Sequence, residues 1–169
     1  MNPPDQPNLA LRDRRIDIFF AVVFAAFTIT SIISDLLPTV GVDFSHPSSN
    51  FFVQSNYWYA HDADPLFMNP PDWMRIVTGL SAFVYMPFYI VLVYALATGK
   101  NWIQLPSVIY ATMIAAITGI IVFGVEFFGE ADFRTHNPAK FLVFNLPYVL
   151  IPLLLLVRMR KPAPFARRF

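Results

Sequence analysis

Four long apolar runs restrict the fold of this chain more than any other feature. They cover Ile16–Leu37, Trp73–Ala97, Gln104–Phe128 and Phe141–Val157. Each has the length of a membrane-crossing helix, about 17–25 residues at ~1.5 Å rise per residue. In lipid every backbone polar group must be bonded internally, so such runs read as helices. Composition agrees. Hydrophobic residues make up 56% and charged residues 14%, against roughly 25% charged in a soluble domain. The expected fold is an all-α integral membrane protein, a four-transmembrane-helix bundle over residues 16–157. It lies between an N-terminal tail, 1–15, and a basic tail, 158–169. With 169 residues there is room for one such domain.

The net charge of +1 carries no argument for nucleic acid, but its distribution sets an orientation. Arg12, Arg14 and Arg15 precede the first run, Lys100 lies between the second and third, and Arg158, Arg160, Lys161, Arg167 and Arg168 follow the fourth. The other side holds only Arg75, Arg134 and Lys140. The positive-inside rule therefore places both termini in the cytoplasm. The basic tails read as topology signals and as attraction to anionic lipid. There is no cysteine, which excludes disulfides, thiolate nucleophiles and cysteine metal clusters. The first run reads as an uncleaved helix: it is long, and Asp13 and Asp17 sit among the arginines at its start.

Prolines and aromatics organise the rest. Met1 to Gln6 is a polar, proline-rich tail. Proline disfavours helix at the residue before it, so the first run is expected to end near Leu37–Pro38. The connection from Pro38 to Asp72 is the longest, and it is aromatic; residues 50–60 read either as a short amphipathic helix at the membrane surface or as a loop packed over the bundle, and the two are compatible. Asp72 is expected to cap the second helix and Pro106 to sit in the first turn of the third. Pro87, Pro147 and Pro152 fall inside spans, where they free carbonyls and bend helices.

Two acids, Asp35 and Glu126, lie at the ends of otherwise uncharged stretches. A carboxylate at membrane depth costs several kcal/mol, about 2.5–3.5 on insertion scales, unless it is paired, protonated or wetted. With both termini inside, Asp35, Glu126, Asn145, Thr78 and Ser81 fall at similar depth in the outer half of the bundle, with Tyr85 deeper. Tyr59 and Asp64 lie in the loop on that same side. The pattern predicts a ligand cavity in the outer half, walled by Phe, Leu, Ile and Val, for a bulky apolar molecule with one polar handle. A buried carboxylate holds a cation there, and Tyr57, Trp58, Tyr85 and Tyr148 offer aromatic faces to it. On the same residues alone, Asp35 and Glu126 also read as helix-end acids reaching the interface, and Asn145 as a helix–helix hydrogen bond. His46, His61 and His136 read as loop residues. No spacing argues for a metal, and no cofactor motif is present.

Several short motifs carry a resemblance. Ile33-Ser34-Asp35-Leu36, Tyr59-Ala60, Asp64-Pro65-Leu66, Pro70-Pro71-Asp72-Trp73, Trp102-Ile103 with Pro106, and Pro147-Tyr148-Val149-Leu150-Ile151-Pro152 fall in order from Phe19 to Val157. Together the chain resembles the EXPERA family, the group of the sigma-2 receptors and of emopamil-binding proteins, which are sterol isomerases. The resemblance implies a four- or five-helix membrane bundle with a ligand cavity, commonly a homodimer. It implies Asp35 as the partner of a ligand amine, Asp64 as a residue supporting or lining that site, and Tyr148 beside it. Glu126 and Asn145 are similar in placement to polar residues of the isomerase site. Two departures weaken the isomerase: Ser31 stands where that enzyme has a histidine, and no acid occurs among Thr78–Tyr85.

Three readings follow. The first is a sterol-like-lipid or cationic-amphiphile binding protein, without enzymatic activity, using Asp35, Asp64, Tyr59, Ser81, Tyr85, Glu126, Asn145 and Tyr148, with Asp35 and Glu126 facing one another. The second is a sterol or terpenoid double-bond isomerase with Asp35 or Glu126 as proton donor and Asn145 positioning the substrate. The third is a structural or trafficking membrane protein. Expected partners are a sterol, lipid or hydrophobic amine, the bilayer, and a second copy of the chain, with no nucleic acid. The expected membrane is the endoplasmic reticulum in a eukaryote and the plasma membrane in a bacterium.

Overall fold

The computed structural model describes residues 9–68 and 70–166. The proline-rich tail, Arg167 and Arg168 lie outside them. Every regular element among the described residues is helical. Four helices are long and apolar enough to cross a membrane: Arg15–Thr39, Asp72–Thr98, Asn101–Phe128 and Pro138–Arg158. The protein is an all-α membrane protein with four spans, and the apolar runs lie inside the four helices. Span one packs along the second half of span two, and span three packs along span four. Gly119 permits that second approach, since a Cβ there would meet Val149 at 3.2 Å.

None of the spans is a plain α-helix, and the sequence explains where each departs. Span one breaks at Asp35, between Arg15–Ser34 and a last turn Leu36–Thr39. This differs from the expected end at Leu37–Pro38. Proline 38 sits within the last turn, and its ring and missing N–H disrupt the turn before it instead. Span two contains a π-helical turn, Ser81–Tyr85, just ahead of Pro87. Span three contains another, Ile117–Val122. Span four breaks at Leu146, ahead of Pro147. Gly99, at φ +71°, closes span two in the left-handed conformation that glycine adopts without steric cost.

The long connection has its own helix, Phe51–Ala63. Asn50 caps it, its side-chain oxygen accepting from Phe52 N at 3.0 Å and Val53 N at 3.3 Å. The helix stops at Asp64 because Pro65 disfavours the α conformation at the residue before it. Asp72 is the first residue of span two rather than its cap; Pro71 takes the cap position and makes no side-chain bond. The acid still favours that end through the helix dipole.

Two hydrophobic clusters fill the interior. One gathers Phe20, Phe24, Phe27, Tyr89 and Tyr110 around spans one to three. The other gathers Phe44, Leu66, Phe67, Met74 and Phe141 under the long connection. Charged residues brace the end away from that connection. Asp17 is fully buried and accepts from Arg14 Nη1 at 2.8 Å and from Arg158 Nε and Nη2 at 2.8 and 2.9 Å. Arg14 also donates to the Leu96 carbonyl at 2.8 Å, and both guanidinium groups lie over the Phe165 ring. So Arg158 belongs to a buried ion cluster inside span four, not to a free tail.

Candidate functional site

A cavity of about 270 Å³ opens between the two clusters. All four spans and the loop helix reach it. Ile33, Phe67, Met74, Val77, Ile114 and Val122 supply apolar wall. Both π-helical turns border it, through Ser81 and Tyr85 on span two and Ile117, Thr118 and Val122 on span three. A π turn widens the helix and is frequent beside functional sites.

Asp35 sits at the break of span one and lines the cavity. Its Oδ2 accepts from Ser31 Oγ and Ser81 Oγ, each at 2.7 Å. Both bonds fall on one oxygen, and among the described residues no donor reaches Oδ1. Ser31 is placed for this by helix geometry, four residues before Asp35 on the same face. Ser81 comes from span two, so the carboxylate ties the two spans together. One turn along, Thr39 Oγ1 and Thr78 Oγ1 repeat the connection at 3.0 Å.

A second polar group comes from the loop. Asn145 Nδ2 donates to Tyr59 OH at 2.5 Å and to the Phe141 carbonyl at 2.9 Å. Tyr59 OH donates in turn to Asp64 Oδ2 at 2.9 Å. Asp64 is 1% exposed, and its other neighbour is the carboxyl of Glu126. Glu126 is fully buried and does not line the cavity; it stands behind Asp64. Among the described residues neither its carboxyl oxygens nor Asp64 Oδ1 has a hydrogen-bond donor. Among the described residues no cation stands beside these two carboxyl groups, and like charges so placed disfavour one another. Burial pushes the Asp64 carboxyl up from its ordinary range, only partly offset by contacts to Glu126, to the Tyr59 hydroxyl and to the backbone at Phe67. The Tyr59 phenol is raised too, by burial first and then by the Asp64 charge.

The structure therefore pairs the acids differently from the expected arrangement. Asp35 is held by two serines, and Asp64 faces Glu126, so Asp35 and Glu126 do not face one another. The physical reason is the break after Ala63: the Asp-Pro turn aims Asp64 at the end of span three. Of the residues expected at the site, Asp35, Tyr59, Asp64, Ser81, Tyr85, Asn145 and Tyr148 line the cavity. Tyr148 stacks on Phe27 at 4.2 Å between centroids and shares a 2.5 Å hydrogen bond with Thr30. The Tyr85 hydroxyl is buried with no partner among the described residues.

Sequence reasoning missed Asn56, which lines the cavity and donates to the Ile33 carbonyl at 2.9 Å. That bond fastens the loop helix to the last full turn of span one before its break. A signal was present: Asn56, Tyr59, Ala60 and Ala63 recur at helical spacing on one face. Thr30 and Thr118 also line the cavity and were missed. Isolated threonines in a membrane helix carry no pattern, since their hydroxyls bond the preceding turn.

Comparison with known proteins adds independent findings. The sequence pattern of EXPERA (EXPanded EBP superfamily) matches residues 51–159. The chain is 32% identical to the Sigma intracellular receptor 2 of Xenopus tropicalis over 151 residues, which is 84% of this chain and 85% of that protein. It is also 32% identical to the proteins of the same name from Macaca fascicularis and Homo sapiens, over 60% of this chain and 64% of each of theirs.

Proposed function

The chain belongs to the EXPERA family, and from that premise we propose that its cavity binds a sterol-like lipid or a hydrophobic amine. Asp35 is the counter-ion for a cationic handle, and Tyr148, Tyr85 and the apolar wall receive the ring system. The observation that carries this reading is the state of Asp35. It is a carboxylate bordering an apolar cavity, with one oxygen fixed by two serines and the other left open. Small-molecule sites are commonly of this kind, mostly apolar with a few placed polar groups. Asp64 and Asn145 make the polar wall on the far side, and Glu126 supports Asp64 from behind.

Binding of a tritiated hydrophobic amine to the purified protein tests this. Asp35→Asn keeps the size of the side chain and removes its charge. Loss of a charge-assisted bond of ~1.5–3 kcal/mol lowers amine affinity by about 10- to 100-fold. An affinity unchanged in Asp35→Asn removes Asp35 as the counter-ion. A sterol without a cationic handle should bind both proteins within a few-fold.

One observation favours a second reading, that of a double-bond isomerase. The Asp64 and Glu126 carboxyls are neighbours with no cation beside them among the described residues, and Tyr59 and Asn145 link the pair to the cavity. Such a group protonates one alkene carbon while a base removes a proton from another, with no net change in composition. Incubation with an unsaturated sterol and mass-spectrometric separation of isomers decides it, and absence of product at high protein concentration sets it aside. For topology, we place both termini in the cytoplasm, because the arginines and lysines concentrate there. Protease accessibility of terminal tags in sealed vesicles checks that placement.

A further inference from the structure

The end of the bundle opposite the cavity carries a second concavity, of about 830 Å³. It opens between the start of span one and the end of span four. Among the described residues its charged lining is Asp13, Arg14, Arg158, Arg160 and Lys161. Arg14 and Arg158 share the one carboxylate of Asp17, so this buried cluster already has a surplus positive charge. Arg158 commits three of its five N–H groups, to Asp17 and to the Pro164 carbonyl, and keeps two. Arg160 and Lys161 are exposed and have no ion pair among the described residues. Among the described residues Asp13 is the only other acid lining it, and it is already beside Arg12 at 4.0 Å.

The walls of this concavity change character along the spans. Ile16 and Val157, one residue inside the charged positions, are exposed and apolar. They begin the lipid-facing surfaces of spans one and four. The site thus joins unmatched cationic donors to an apolar ledge at the level where a bilayer passes from headgroups to chains. A soluble anion would use the first feature and gain nothing from the second. We propose that this concavity seats the phosphate headgroup of an anionic phospholipid, with its upper acyl chains against Ile16 and Val157. This site is separate from the cavity at Asp35 and does not depend on what that cavity binds. Each free cation at a membrane surface contributes about 1 kcal/mol towards an anionic lipid, which is a factor of about five.

The test uses native mass spectrometry of the full chain in detergent, titrated with phosphatidylglycerol, with phosphatidylcholine and with inorganic phosphate. The expected result is one saturable phosphatidylglycerol per chain, held at least tenfold more tightly than phosphatidylcholine. Arg160→Gln and Lys161→Gln should each weaken it about fivefold. Arg12→Gln, at the same end but outside the concavity, should leave it within a factor of two. All three side chains are exposed, and unchanged thermal unfolding of the variants confirms an intact bundle. Equal loss in Arg12→Gln overturns the proposal in favour of diffuse attraction. Inorganic phosphate that binds at micromolar concentration and displaces the lipid overturns it in favour of a soluble anion. No preference between the two phospholipids overturns it outright.

Discussion

Buried acids occur at both ends of this bundle, and they are treated in opposite ways. At one end Asp17 has no exposed surface and is surrounded by donors: two guanidinium groups give it three charge-assisted hydrogen bonds. Those same arginines reach the Leu96 and Pro164 carbonyls, so the cluster joins three spans and the segment after the last. At the other end Asp64 and Glu126 are equally buried and have no cation partner among the described residues. The one side-chain donor to the pair among the described residues is the Tyr59 hydroxyl, on Asp64 Oδ2. Asp35 is intermediate, with one oxygen satisfied and one open to the cavity. A buried acid whose partners are complete holds a structure together. A buried acid with incomplete partners raises the free energy of the empty protein, and a ligand or a proton relieves it. The difference separates scaffold from site without reference to any ligand.

The largest effect expected on that contrast comes from Asp17→Asn. It leaves two guanidinium groups without a counter-charge, and breaking a buried pair costs about 3–5 kcal/mol. Thermal unfolding in detergent should show the bundle severely destabilised, with ligand affinity of any residual folded protein unchanged. The next effect is on pH. Burial raises the Asp64 carboxyl above its unfolded range. Between the unfolded and folded values the native state therefore holds the extra proton, and stability falls as pH rises through the folded value. The wild-type protein should unfold at a lower temperature at pH 8 than at pH 5 through this group, and Asp64→Asn should reduce that slope. Asp43 and Asp62 are exposed and shifted down by Ser45 and Lys140 respectively, so they titrate below this window and do not mask it.

Glu126→Gln should act in the reverse sense to Asp17→Asn. An amide offers Asp64 a permanent donor, so stability should stay within ~1 kcal/mol of wild type or rise. A loss as large as that of Asp17→Asn would break the contrast, because it would make Glu126 a structural ion. The smallest effect should come from Ser81→Ala. It removes one of two bonds on Asp35 Oδ2, for about 0.5–1.5 kcal/mol of stability, and loosens the orientation of the carboxylate. Amine affinity should fall by only a few-fold, measured against the much greater loss in Asp35→Asn.

The contrast was only half legible in the sequence. The four spans were readable because hydropathy over some twenty residues leaves no alternative, and the helix in the long connection was one of two readings its aromatic residues allowed. Asp35, Asn145 and Ser81 were readable at one depth because antiparallel spans fix it, with Tyr59 on the same side in the loop, whereas Tyr148 rested on its aromatic face and the family resemblance. Pairing was not. Whether Asp64 meets Asp35 or Glu126 depends on the direction of the chain after Ala63, which a single turn decides. The Asp17 cluster was hidden for another reason. Arginines at the end of a span satisfy the positive-inside rule whether they face solvent or turn inward, so Arg14 and Arg158 looked like ordinary tail charges.

The two π-helical turns have a consequence for how this chain changes over time. Each accommodates one residue more than an α-helical turn would. In span two, the residues before the turn, such as Met74 and Thr78, border the cavity, whereas those after it, such as Tyr89, Leu92 and Leu96, fill the core. Removing a single residue between Ser81 and Tyr85 would restore an ordinary helix and rotate everything downstream by about 100°. The cavity wall and the core would then lose their register with each other. A relative one residue shorter at this point has therefore not lost a neutral position; it has exchanged one set of inward-facing side chains for another, and with it the shape of what the cavity admits.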